Sequence, residues 1–228
     1  MLTHDMQETG ILEQYTGSLR QHIEEEYRIE DIYLRSDLKR GLRNADGTGV
    51  PVGVTKVGSV MGYMIEDGIR VPVPGQLYYR GIELNEIVEA HRQNNTFGFE
   101  EVAFLLLMGH LPSASEMAGF TEIMNQAKRL PKGFTEDMIM KSPSKDIMNK
   151  LSRSVLSLYS YDDNPDDLSV ENLLLQSVKL IGAFPSIVAN AYAVKRHYFE
   201  GRSLHIHYPK ENLSTAENFL RMVRRYGN

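Results

Sequence analysis

The chain has 228 residues, with 25 Lys and Arg against 30 Asp and Glu, for a formal net charge of −5. That mildly acidic balance gives no electrostatic footprint for nucleic acid. Cysteine is absent, which excludes disulfides, thiolate nucleophiles, Cys-ligated zinc and iron–sulfur clusters together.

The opening residues, MLTHDMQETG, lack a basic stretch followed by an apolar core, so no secretory signal is read and the expected compartment is the cytoplasm. From Asp5 to Arg35 the apolar positions Leu12, Tyr15, Leu19, Ile23 and Tyr27 recur at helical spacing. Glu24, Glu25 and Glu26 on the other side read as a solvated face. Residues 1–40 are therefore expected to form an N-terminal helical arm.

Composition shifts at Gly41. Glycine becomes frequent, and the apolar residues are mostly Val, Ile and Tyr, the pattern of short strands and turns. Asp46-Gly47 reads as a turn, Val57 to Ile65 as a strand, and Glu66-Asp67-Gly68 as a hairpin turn. Ile69 to Val73 returns as an edge, since Pro72 and Pro74 cannot donate to a ladder, and Gln76 to Tyr79 reads as a third short strand.

Beyond Gly81 the pattern is helical. Leu84 to Gln93 is a short helix. Phe99 to Met108 is apolar on nearly every side, which points to a large core or a subunit interface. Gly109 and Pro112 stop it, and Ser113 with Glu116 forms a capping box for a helix running to Arg129. Helices over Phe134–Met140, Ser144–Tyr159, Ser169–Phe199 and Ser214–Arg225 complete the reading, with Pro185 inside the long one and Ser214 and Glu217 capping the last. The fold class is mainly α with one small antiparallel β element near residues 56–80.

The stretch from Leu173 to Val194 is the most apolar, but Gln176, Lys179, Pro185 and Asn190 interrupt it, so no membrane partner is expected. The acidic run from Asp162 to Asp167 lacks the alternating ligands and closing Glu of a calcium loop and reads as a surface loop.

Candidates for chemistry are few. No Walker loop, GxGxxG, GxSxG or HExxH occurs. His205-Ile206-His207 would aim two rings the same way on an extended segment, but two ligands do not close a metal site, and the segment also reads as a surface loop. Arg80, after Tyr78-Tyr79, is either an anion ligand or a partner for a carboxylate where sheet meets helix. Lys195, Arg196 and His197, and again Arg221, Arg224 and Arg225, sit where cations suit a helix C-terminus. Spacing alone assigns no catalytic, cofactor-binding or metal-ligating residue.

Several runs resemble the citrate synthase family. They are RGLRNADGTGVPVGVTKVGSV, VPVPGQLYYRGIELNEIV, FEEVAFLLLMGHLPSASE, DIMNKLSRSVLSLYSYDD, LIGAFPSIVANAYAVKR and SLHIHYPKENLSTAENFLRMVRRYG, in that order. The wording is nearest the bacterial citrate/2-methylcitrate synthase branch. The resemblance implies a mainly α homodimer of the tricarboxylic acid cycle that condenses acetyl-CoA with oxaloacetate to give citrate and free CoA. A carboxylate takes a proton from the acetyl methyl group and a histidine stabilises the enol, with no metal or redox cofactor and acetyl-CoA as co-substrate. Propionyl-CoA in its place gives 2-methylcitrate.

In the family, the substrate histidines, the catalytic aspartate and the binding arginines follow the ENFL helix, whereas this chain stops at Asn228 shortly after it. Residues 41–228 are therefore expected to be the N-terminal part of the large domain, without the small domain and the catalytic C-terminal part, and to be inactive alone. His205 and His207 precede the ENFL helix, so neither is the family's first active-site histidine. The alternatives are a 2-methylcitrate synthase fragment and a non-catalytic homologue acting as an assembly or regulatory subunit. The expected homodimer contacts are the apolar helices over residues 99–108 and 173–194.

Overall fold

The computed structural model describes residues 55–224, together with residues 19, 20, 22–26 and 28. Within the expected helical arm, residues 22–26 are helical, with Ile23 buried and Glu24 and Glu25 exposed. Residues 19 and 20 are helical as well, and apart from these and residue 28 the rest of the arm, the Asp46-Gly47 turn and Arg225 lie outside the described residues. The described residues fall into two compact units, one within Gln21–Pro112 and the other from Ser113 onward with Arg20.

The first unit holds the sheet. Strand β1 (Gly58–Glu66) runs antiparallel to β2 (Ile69–Tyr79), with Glu66 facing Ile69. Asp67 and Gly68 close the hairpin at φ +50° and +75°. Two positive φ values in a two-residue loop make the turn whose twist matches that of the strands, which is why Asp-Gly stands there.

The separate strands predicted on either side of Pro74 are one strand. Met61 faces Gln76 while Tyr63 faces Pro72, so Gly62 on β1 lies opposite Val73, Pro74 and Gly75 on β2. This bulge lets β2 carry a proline without leaving the sheet. The third strand is instead β3 (Ile82–Glu83), which folds back on Tyr78 and Tyr79 through Arg80 and Gly81, both at positive φ.

Helix α1 (Leu84–Asn94) follows directly. Glu83 caps its start by accepting from Asn85 N at 2.9 Å, and Asn95 ends it in the left-handed region at φ 51°. Helix α2 (Phe99–Met108) ends on Gly109, at φ 90°, whose N–H bonds Leu105 O at 2.9 Å. Glu100, Ala103, Phe104, Leu105 and Met108 are buried. The expectation of burial on every side does not hold within the chain: Val102, Leu106 and Leu107 are half-buried and Phe99 is exposed.

The second unit is helical. Helix α3 (Ala114–Ala127) starts at the expected capping box, with Ser113 N donating to the Glu116 carboxylate at 2.8 Å and Ser113 Oγ accepting from Glu116 N. It ends two residues before Arg129. The segment predicted as a helix over residues 134–140 is a single π-helical turn, Thr135–Met140. Its wide turn, closed by Lys141 N on Glu136 O, lets Phe134 and Ile139 both be fully buried, five residues apart. Helix α4 (Ile147–Leu158) begins three residues later than predicted, because Asp146 rather than Ser144 is its cap, accepting from Asn149 N at 3.1 Å. A short 3₁₀ turn, Tyr159–Tyr161, extends it.

Helix α5 (Val170–Glu200) is the axis of this unit, packed by α3, α4, the π-turn and α6 (Thr215–Val223). Phe134, Ile139, Leu151, Ile187, Ala191 and Val194 form its core cluster. Each large apolar side chain fully buried there stabilises by about 1.5–3 kcal/mol. Among the described helices, α5 alone is long and apolar enough to cross a membrane, and its inward residues form this core. Gly182 is the point of closest approach to α3: a Cβ there would stand 2.5 Å from Ala127 Cβ.

Candidate functional site

Chemistry requires polar groups that converge and remain accessible. Several groupings qualify for inspection, each inside one unit.

In the first unit, His91 near the end of α1 bridges Thr96 Oγ1, at 2.8 Å from Nδ1, and Glu101 Oε1 of α2, at 3.0 Å from Nε2. A hydroxyl–imidazole–carboxylate chain has the order of a nucleophilic triad. The ring lies against Gly98, where a Cβ would come within 2.6 Å of Cδ2. The chain therefore staples the α1–α2 corner, holding together the backbone reversal in which Thr96 N bonds His91 O. His22 and His110 make a second staple: His22 Nε2 lies 2.8 Å from Met108 O and 3.1 Å from His110 Nδ1, at the C-terminus of α2.

Arg80 is found on a backbone carbonyl. Its Nε and Nη2 donate to Leu106 O at 3.3 and 2.9 Å. Two of its donors thus cap one of the carbonyls that the end of α2 leaves unpaired.

In the second unit, one of the runs that carry the family resemblance turns inward. In STAENFLRM, Ser214 and Glu217 form the capping box, and Thr215 and Asn218 are buried. Asn218 Nδ2 donates to Lys210 O at 2.7 Å and Leu213 O at 3.1 Å, while Oδ1 accepts from Lys210 N at 2.8 Å. Lys128 Nζ reaches Leu213 O at 2.8 Å, and Ser186 of α5 donates to Lys128 O at 3.0 Å. These residues knit α3, α5 and α6 to one loop, so their role is scaffold.

Lys150 of α4 is buried and donates to Met138 O and Ser142 O, capping the π-turn. Burial, aided by the charge of Arg153, pushes its ammonium below the ordinary lysine range. The acidic stretch is likewise committed to the backbone: Asp162 accepts from Asn164 N and Asp167 from Ser169 N, at 3.0 and 2.9 Å. Its surface-loop reading stands, and no grouping of three metal-ligating side chains occurs among the described residues.

A cavity of about 380 Å³ lies between the C-terminal half of α5, the 202–207 segment and the end of α6. Arg196, Arg202, His205, His207 and Arg224 line it together with Tyr192 and Met222. The His-Ile-His pair and one arginine from each of the two basic runs thus meet in one cleft. Sequence spacing could not show this, because residues 196 and 224 come together only through the packing of α6 on α5. Among the described residues no carboxylate lines the cleft, so they offer it cations and hydrogen-bond donors but no acid–base pair for moving a proton from carbon.

Comparison with known proteins follows the same lines. The family pattern described as "Citrate synthase, C-terminal domain" matches residues 44–228. The chain is 34% identical over 163 residues to the glyoxysomal citrate synthase of Cucurbita maxima, covering 68% of this chain and 29% of that protein. It is 27% identical over 188 residues to a 2-methylcitrate synthase of Mycobacterium tuberculosis, covering 82% of this chain and 40% of that one. Citrate synthase from Pyrobaculum aerophilum has a similar fold, with a TM-score of 0.60 at 23% identity over 82% of this chain and 44% of that chain. The chain therefore spans less than half the length of these relatives.

Proposed function

This chain belongs to the citrate synthase family, and we propose that it provides the helical framework of an acyl-CoA-condensing synthase without by itself carrying the proton-transfer groups. One observation supports this reading above the others. In the STAENFLRM run, which carries part of the resemblance, Ser214 and Glu217 are spent on the helix cap and Asn218 on buried hydrogen bonds. Neither of the two clefts described in the second unit brings a carboxylate and a histidine together around open space. Enolate formation from a thioester needs such a pair, positioned within hydrogen-bond reach of the methyl proton and the carbonyl oxygen.

The reaction served is the condensation of acetyl-CoA with oxaloacetate. Propionyl-CoA is the competing acyl donor, because a 2-methylcitrate synthase aligns over more of this chain than the plant enzyme does. One methylene is discriminated by only about 1–3 kcal/mol of pocket contact. The framework acts as a homodimer through α2 and α5, both of which leave apolar side chains exposed: Phe99 on α2, and Leu173, Phe184 and Tyr192 on α5.

The test is CoA release by the purified chain from oxaloacetate with acetyl-CoA or with propionyl-CoA. The expected result is no release above the blank with either. Turnover with acetyl-CoA or propionyl-CoA would show a complete site in this chain and overturn the framework reading.

A further inference from the structure

We propose that the cleft formed by Arg196, Arg202 and Arg224 binds a small multivalent oxyanion. The three guanidinium groups come from three separate stretches: α5, the segment after Gly201, and the residue just past α6. His205 and His207 add two imidazoles to the same wall.

The arginines are unequally committed. Arg196 lies 3.6 Å from Glu200 and 5.5 Å from the Tyr192 ring centroid. The side chains of Arg202 and Arg224 make no hydrogen bond or ion pair with the described residues. Gathering like charges in one concavity is unfavourable unless an anion joins them. Among the described residues Glu200 is the one carboxylate engaged with these arginines, which leaves an excess of positive charge there in a chain whose net charge is −5.

The dimensions select the ligand class. A cavity of about 380 Å³ takes a small molecule rather than a strand or a peptide segment. Guanidinium forks match phosphate and carboxylate oxygens equally, and two or three of them call for a ligand with more than one anionic group. A diphosphate and a polycarboxylate share this chemistry. The site stands apart from the framework reading, since nothing in it requires the condensation reaction.

The full 228-residue chain is titrated calorimetrically at pH 7 and low salt with pyrophosphate and, separately, with citrate. The variants are R202Q/R224Q and a control, K132Q/K179Q, which removes the same net charge from exposed positions that do not line the cleft. The expected result is binding by the wild type that weakens at least tenfold in R202Q/R224Q and less than threefold in the control, with circular dichroism unchanged. Loss confined to pyrophosphate assigns a phosphoryl ligand, and loss confined to citrate a polycarboxylate. No binding of either anion by the wild type, retention by R202Q/R224Q, or equal weakening in the control would each overturn the proposal.

Discussion

Asn190 of α5 donates its amide hydrogen to Thr135 Oγ1 at 3.0 Å, with both residues buried. The bond fastens the π-turn to the long helix where both are out of water. A buried polar group that loses its partner costs more than the bond was worth. Asn190→Ala is therefore expected to lower stability by about 2–3 kcal/mol, through the cavity and the stranded hydroxyl together. Pairing Thr135→Val with Asn190→Leu removes both polar ends and is expected to cost less than the sum of the single changes. Urea denaturation of the four chains of this cycle, and of Asn190→Ala beside them, measures both effects. An Asn190→Ala loss under about 0.5 kcal/mol, well below the usual cost of an orphaned buried group, would show that the bond does not hold the turn.

Gly182 and Gly201 separate two reasons for a glycine. A Cβ at Gly182 would stand 2.5 Å from Ala127 Cβ and 2.9 Å from Ala127 C, so side chain and backbone of α3 both block it. Gly182→Ala is expected to cost about 1–3 kcal/mol by forcing the helices apart. At Gly201 nothing lies within 4 Å, but φ is +64°. Gly201→Ala is expected to cost about 1 kcal/mol from left-handed backbone alone. Thermal unfolding of the two variants tests the order; a larger loss at Gly201 would contradict the close α3–α5 contact.

How far these features could be read beforehand depends on how local their causes are. Asp67-Gly68, Ser113 with Glu116, and Ser214 with Glu217 act over three or four residues, and each stands where the sequence placed it. The continuity of β2 through Pro74 depends on a bulge opposite Gly62, and the role of Arg80 on a carbonyl 26 residues away. The π-turn arises because Phe134 and Ile139 must both enter the core, which local periodicity does not record. The cationic cleft is invisible for the same reason: its members are spread from Ala189 to Arg224, where Arg196 and Arg224 read singly as helix-end charges and His205 and His207 as a loop pair.

The cap on α6 carries a pH signature. The Ser214 hydroxyl, and then its main-chain N–H, hold the Glu217 carboxyl below the ordinary glutamate range. The folded value is thus lower than the unfolded one. Its stabilisation is complete above the unfolded value, about 4.3, and is lost as pH falls through the folded value. Thermal midpoints of wild type and Glu217→Ala are expected to differ at pH 7 and to approach each other toward pH 3. A gap that stays constant or widens in acid would show that the carboxylate charge is not what the cap uses.

Helix α2 offers a sharp test of the proposed dimer, because neighbouring leucines face different surroundings. Leu105 is 1% exposed, while Leu106 is half-buried within its own chain. Leu105→Asp would bury a carboxylate without a partner, and a loss above about 4 kcal/mol is expected. Leu106→Asp is expected to disturb the core less and to place a charge on the row that a second copy would cover in the proposed dimer. The wild type is expected to sediment as a dimer, Leu106→Asp as a folded monomer, and Leu105→Asp as an unfolded or aggregated chain. Circular dichroism separates loss of fold from loss of association. Should Leu106→Asp remain folded with the association state of the wild type, α2 is not at the interface, and α5, with Phe184 and Tyr192 exposed, is left as the surface to probe.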